Sequence, residues 1–200
     1  MSTPNEVETL DLLAKHKVLR TSELLQQGVH PRTIYALRDS GQIQQLGRGL
    51  YALSDHYPLA YPDFVIVASK VPQAVVCLIS AVAYHELTTQ IPHTVSIALP
   101  AFSHPPRLAY PPLTVYRFSE PAFSAGVESH VLDEVQVRIY TAEKSIADLF
   151  KFRHRLGLDI ALEALKAYLT WPARDVNKLL HYAAICRVTN VIQPYLEALL

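Results

Sequence analysis

Apolar residues follow two rhythms along this chain. Up to about residue 53 they recur mostly at helical steps: Val7, Leu10, Leu12 and Leu13, then Leu24 and Leu25, then Ile34 and Leu37. Steps of three and four place side chains on one helical face, so three amphipathic helices are predicted. His30-Pro31 marks the start of the third, because proline suits a first helical turn and pushes the preceding residue out of helical geometry. Gly28 and Gly41 are the predicted stops of the second and third. The second helix opens at Thr21 or Ser22, and Leu24 stands three residues after Thr21 where a capping box would place Glu or Gln. Ile43 and Leu46, then Leu50 and Ala52, flank Gly47-Arg48-Gly49 and predict a short hairpin turned by glycine.

Further on the rhythm changes. Residues 63–71 and 77–87 read as helices, the second (CLISAVAYHEL) apolar enough to be core. Residues 94–99, 113–118, 127–132 and 135–140 read as strands, and 142–153, 158–169, 175–187 and 191–200 as helices. Thr141 is a suitable N-cap for the first of these late helices, and Trp171-Pro172 separates the second from the third. Five prolines between positions 100 and 112 exclude both helix and central strand there. The fold class predicted is α+β: an N-terminal winged helix-turn-helix over 1–54, a Pro- and Tyr-containing linker over 55–62, and a mixed α+β domain over 63–200 that ends in a helical bundle.

A winged helix-turn-helix places its second helix in a DNA major groove. Arg32, Thr33, Tyr35 and Arg38 fall mostly on the faces of that helix away from Ile34 and Leu37, and Arg48 sits at the wing tip, within reach of a phosphate or a minor groove. These five are the candidate DNA-binding residues. Each could equally be a solvated surface residue; the ordered combination is what carries the prediction.

Charge sharpens this picture. The chain of 200 residues has no formal net charge with histidine neutral, which argues against a non-specific nucleic-acid coat. Over 12–54, however, six bases (Lys15, Lys17, Arg20, Arg32, Arg38, Arg48) face two acids (Glu23, Asp39), a local charge of +4. A basic face on a neutral chain suits a site-specific binder with few phosphate contacts. Half of the residues are hydrophobic and 18 % are charged, so a large core is available.

Other chemistries find little footing. Cys77 and Cys186 lie far apart in apolar stretches and read as buried reduced thiols, with no paired Cys/His spacing for zinc. No GxSxG, P-loop or GxGxxG phrase occurs, and neither a cofactor nor a metal is expected. Asp133-Glu134 resembles a nuclease carboxylate pair, but Gln136 stands where a lysine would be wanted. His85 on the apolar helix reads as a satisfied core or boundary residue. The sequence therefore predicts no enzyme. A polar, acidic N-terminus unlike a signal peptide, and apolar runs too short to span a bilayer, predict a cytoplasmic protein with no membrane contact.

On the predicted helix after the last strand, Lys144, Asp148 and Lys151 share one face at i, i+4 and i+7. With Arg153 and Arg155 they form a candidate anion-binding or partner-facing surface, the bland alternative being a helix held by Lys144–Asp148 and similar pairs.

Three phrases carry a family resemblance. LGRGLYAL (46–53) ends the wing; Ser80-Ala81 with His85 and Leu87 follows an S-A-x-x-x-H-x-L pattern; and YTAEKSIADLFKFR (140–153) forms a strand–helix junction. Together they resemble the AbiEi-like antitoxins and transcriptional regulators of type IV toxin–antitoxin systems, over nearly the whole chain. The resemblance implies a winged helix that binds inverted repeats in its own promoter and represses the operon. It also implies a C-terminal domain that counters a nucleotidyltransferase-like toxin without needing a stable complex. On that expectation the surface read above from helical spacing, Lys144, Asp148, Lys151, Arg153 and Arg155, becomes the candidate antitoxin surface. The wing departs from many relatives in carrying a single arginine. Two other readings stay open at this stage: a winged-helix protein-interaction module without a DNA role, and a one-component regulator whose Pro-rich middle senses a small molecule.

Overall fold

A computed structural model describes residues 4–55, 60–104 and 106–200. Contacts divide the chain into two compact units, Met1–Pro72 with Val131–Val137, and Gln73–His130 with Arg138–Leu200.

The first unit runs α1 (Pro4–His16), β1 (Val18–Arg20), α2 (Thr21–Gln26), α3 (Pro31–Asp39), β2 (Ile43–Gly47), β3 (Leu50–Leu53) and α4 (Pro62–Lys70). Its three strands are antiparallel in the order β1-β3-β2, with Leu19 opposite Tyr51 and Gln44 opposite Ala52. This is the winged helix-turn-helix expected from the apolar rhythm. Leu13, Leu24, Val29, Ile34, Leu37, Ile43 and Tyr51 form its core, with Leu10 and Leu12 packed against it, so each predicted helix contributes to the core. Val7 and Leu25, expected on the same faces, are instead exposed. Strand β1 has three residues and no alternation of its own, and only pairing with β3 reveals it. Of the expected linker, residues 56–59 lie outside the described residues, as does Pro105 of the proline-rich stretch. Helix α4 groups with the first unit.

In the rest of the chain, β4 (Val75–Val76), α5 (Leu78–Tyr84), β5 (Val95–Pro100), β6 (Leu113–Phe118), β7 (Val127–Leu132) and β8 (Val135–Tyr140) precede five helices. These are α6 (Ala142–Lys151), α7 (Arg153–Leu156), α8 (Leu158–Leu169), α9 (Val176–Ile185) and α10 (Thr189–Leu199). The sheet order is β6-β5-β4-β8-β7. Strands β5 and β6 are parallel, β4 is antiparallel to β5 and parallel to β8. Two-residue β4 thus sits at the centre of the sheet, too short to register in the sequence pattern. Asp133 and Glu134, the acidic pair weighed above, are the turn between β7 and β8, both at positive φ (48° and 67°). That is the geometry of a two-residue hairpin turn.

Every residue of α6 from Ala142 to Phe150 is buried. A helix enclosed on all sides is normally apolar throughout, yet this one carries Glu143, Lys144, Ser145 and Asp148. Its start is capped as expected: the Thr141 side chain accepts from the Lys144 amide.

Candidate nucleic-acid interface

Four local devices hold the helix-turn-helix in shape. The N-cap of α2 is Arg20, one residue earlier than the sequence suggests. Glu23 therefore occupies the third helical position, and its carboxylate accepts from the Arg20 amide at 2.6 Å, half of a capping box. At the other end of α2, the Gly28 amide donates to the Leu25 carbonyl and the Val29 amide to the Leu24 carbonyl, both at 3.0 Å, with Gly28 at φ +85°. This paired closure is a Schellman motif, sealed by contact between Val29 and Leu24 in the core. Helix α3 ends the same way: Gly41 donates to Arg38 and Gln42 to Leu37, with Gly41 at φ +75°. It begins with His30, whose Nδ1 accepts from the Arg32 amide at 3.1 Å ahead of Pro31.

With both ends fixed, the faces of α3 are fixed too. Ile34 and Leu37 point into the core. Arg32 and Tyr35 are exposed, and Thr33 and Arg38 are half-buried. Arg38 is not a free cation: its Nε and one terminal nitrogen donate to the Asp39 carboxylate at 2.9 and 2.7 Å, and its guanidinium carbon lies 5.1 Å from the centre of the Tyr35 ring. The pair and the stacking hold the guanidinium in one orientation and offset part of its charge.

The wing is a two-residue turn, since Gly47 pairs with Leu50 and only Arg48 and Gly49 lie between the strands. Arg48 is exposed at the tip. All five candidate DNA-contacting residues thus lie in the first unit, four on α3 and one on the wing. Lys70, at the end of α4, also reaches the tip, where its ammonium donates to the Arg48 carbonyl. The sequence flagged nothing at Lys70, because this bond spans 22 residues and a lysine in a last helical turn has an ordinary local reason to be there.

The second candidate surface divides. Lys144 and Asp148 are fully buried, so they cannot face a partner. Lys144 Nζ meets Asp148 Oδ2 at 2.5 Å, sits 4.2 Å from the centre of the Tyr140 ring, and the Cys186 thiol donates to Asp148 Oδ1 at 3.2 Å. Burial raises the Asp148 carboxyl above the ordinary aspartate range despite Lys144, and pushes the Cys186 thiol up to about 12. Glu143 accepts from the Tyr168 hydroxyl at 3.0 Å and pairs with Lys178 at 3.2 Å. The i, i+4 spacing of Lys144 and Asp148 is the same for a surface pair and a core pair, and here the core pair is found. The apolar run Ile146-Ala147, Leu149-Phe150 around them is the signal that separates the two cases.

Lys151 and Arg155 remain exposed and Arg153 half-buried. Each leans on the body of its own unit. The Lys151 ammonium lies 5.7 Å from the Phe118 ring centre, the Arg155 guanidinium 4.7 Å from that of Tyr116, and Arg153 donates to the Phe150 carbonyl at 2.8 Å. His85 Nε2 is 2.8 Å from the Tyr140 carbonyl, which makes it the protonated ring nitrogen, and burial lowers the pKa of this imidazole. Among the described residues, no group of three or more His, Cys, Asp or Glu could hold a metal ion, and no helix is long and apolar enough to cross a membrane.

Comparison with known proteins agrees with the winged-helix geometry. Residues 8–54 match the family model described as transcriptional regulator, AbiEi antitoxin. The match supports an antitoxin-type regulator, a regulatory rather than an enzymatic family. No curated protein matches the chain. A crystal structure of the RV2827C protein from Mycobacterium tuberculosis is similar over 94 % of this chain and 80 % of its own, with a TM-score of 0.55 and 17 % sequence identity. At that identity the likeness shows a shared fold.

Proposed function

We propose that this protein is a DNA-binding autorepressor and antitoxin of a type IV toxin–antitoxin system, acting in the cytoplasm. The observation that supports this most is α3. It is capped at both ends and anchored by Ile34 and Leu37, and it presents Arg32, Thr33, Tyr35 and Arg38 on its other faces, with Arg48 on the adjoining wing. Such a helix can enter a major groove while the wing contacts the backbone. The target is double-stranded DNA, namely inverted repeats in the protein's own promoter.

A mobility shift with the DNA upstream of its own coding sequence tests the first half. The protein should prefer that duplex over competitor DNA at moderate salt, and equal affinity for both would reject the reading. Arg32→Ala should weaken binding by about 1–3 kcal/mol with relaxed specificity at one position if Arg32 reads a guanine. A uniform loss with a shallower salt slope would instead assign Arg32 to a phosphate. Arg38→Ala should weaken binding less than Arg32→Ala, because Asp39 already offsets its charge.

The second half, neutralisation of a nucleotidyltransferase-like toxin, we assign to the C-terminal domain. Its candidate surface is now the accessible remnant, exposed Lys151 and Arg155 with half-buried Arg153. Co-expression with the protein encoded next to it should rescue growth. Rescue that survives replacement of all three residues by alanine would remove this surface from the mechanism. Recovery of a stable toxin complex is not required by this reading.

A further inference from the structure

Both carbonyls of the wing tip are tied to other elements of the first unit. The Gly49 carbonyl accepts from the Thr21 amide at the start of α2, at 3.0 Å. The Arg48 carbonyl accepts from the ammonium of Lys70 at the end of α4. A two-residue hairpin closes its own ladder without either bond, so these contacts add rigidity beyond what the turn needs. Gly49 adopts φ +66°, and a Cβ there would lie 3.0 Å from Thr21 Oγ1, so the tip is seated closely on α2.

The Lys70 contact has an electrostatic oddity. The Lys70 residue is half-buried, and burial together with the nearby charges of Arg20 and Arg48 lowers its pKa. Among the described residues, no ion pair joins Lys70, Arg20 or Arg48 to an acid. Three cations from β1, the wing and α4 therefore share one neighbourhood. The Glu23 carboxylate there bonds to the Arg20 backbone amide, and among the described residues it forms no ion pair with any of the three side chains. Like charges gathered this way repel in the free protein, and an incoming polyanion relieves the repulsion.

We propose that Lys70 is a positioning residue for DNA binding: it clamps the Arg48 backbone so that the Arg48 guanidinium meets a DNA phosphate from a wing that is already ordered. This rests on the DNA-binding reading above. Pre-ordering matters because a loop that must be fixed on contact loses affinity to the entropy of fixing it. Lys70 acts through Arg48, and its effect should therefore depend on the Arg48 side chain.

The test uses the full chain and a labelled duplex spanning the DNA upstream of its own coding sequence. Lys70→Met keeps the length and apolar stem and removes the ammonium. It should weaken binding by about fivefold to tenfold in the otherwise unaltered chain and by less than about twofold in an Arg48→Ala background. Lys70→Arg should restore most of the loss. An equal loss in both backgrounds, or none in either, overturns the proposal. A second measurement needs no DNA. Amide exchange at Gly49 and Leu50 should quicken in Lys70→Met while exchange in α1 stays as it was, and unchanged exchange at the tip overturns the clamp. If the unaltered chain shows no preference for the duplex, the DNA-binding reading falls and the phosphate contact of Arg48 falls with it. The exchange result then decides the clamp by itself.

Discussion

Lys144→Met should destabilise the protein by about 3–5 kcal/mol, a large part of the stability of an ordinary domain. Methionine fills much of the same space, so the loss comes from Asp148. That carboxylate has no exposure, and among the described residues it retains, without the Lys144 ammonium, the Cys186 thiol as its one side-chain donor. A buried carboxylate in that position protonates rather than remain charged, which gives the variant a distinctive pH dependence. The folded state then holds a proton that the unfolded chain releases above about pH 4. Fewer protons are bound on unfolding, so stability falls as pH rises from that point up to the raised folded pKa. The deficit of Lys144→Met should accordingly be larger at pH 8 than at pH 5. Adding Asp148→Leu should recover most of it, since an apolar pair can replace a buried ion pair at little cost. Urea unfolding at the two pH values is the measurement. A deficit below about 1 kcal/mol, or one that grows in acid, would contradict this account of the pair.

Leu37→Ala should cost about 2–5 kcal/mol and abolish specific DNA binding at 37 °C. Leu37 is fully buried and belongs, among the described residues, to a small cluster of seven buried side chains. Its carbonyl also accepts the Gln42 amide that closes α3. A cavity there loosens the inner face of the helix whose outer face would read DNA. Leu37→Met conserves volume and should cost less than about 1.5 kcal/mol, with binding retained. Amide exchange along α3 and the mobility shift should move together across these variants. Loss of binding by Leu37→Ala with α3 still fully protected would mean that its effect is not exerted through the core.

Local chemistry was largely legible in the chain. Gly28 and Gly41, the helix stops that the sequence predicts, both stand at the position after the cap with positive φ. The strands read over 113–118, 127–132 and 135–140 have those limits, because alternation and the flanking turn residues act within a few positions. What depends on partners distant in sequence was not legible. Strands β1 and β4, of three and two residues, exist through pairing with β3 and β5. The helix read over 77–87 ends at Tyr84, where His85 becomes the cap and Leu87 folds back to donate to the Val82 carbonyl. The capping role of Glu23 is hidden from the local pattern, because Thr21 is the residue type that favours a cap whereas Arg20 is the cap in the fold. The same limitation governs the candidate sites: the faces of α3 follow from its period, whereas the burial of Lys144 and Asp148 follows from what packs over α6.

Cys77 and Cys186 are both enclosed, and burial raises both thiols well above the pH at which thiolates form in water. The thiolate is the form that alkylating reagents and oxidants attack. In the intact fold, modification must therefore wait for the surrounding structure to open, and the labelling rate becomes a clock for that opening. One such thiol sits on the Asp148 carboxylate, so this clock would time the breathing of the polar heart of α6 itself.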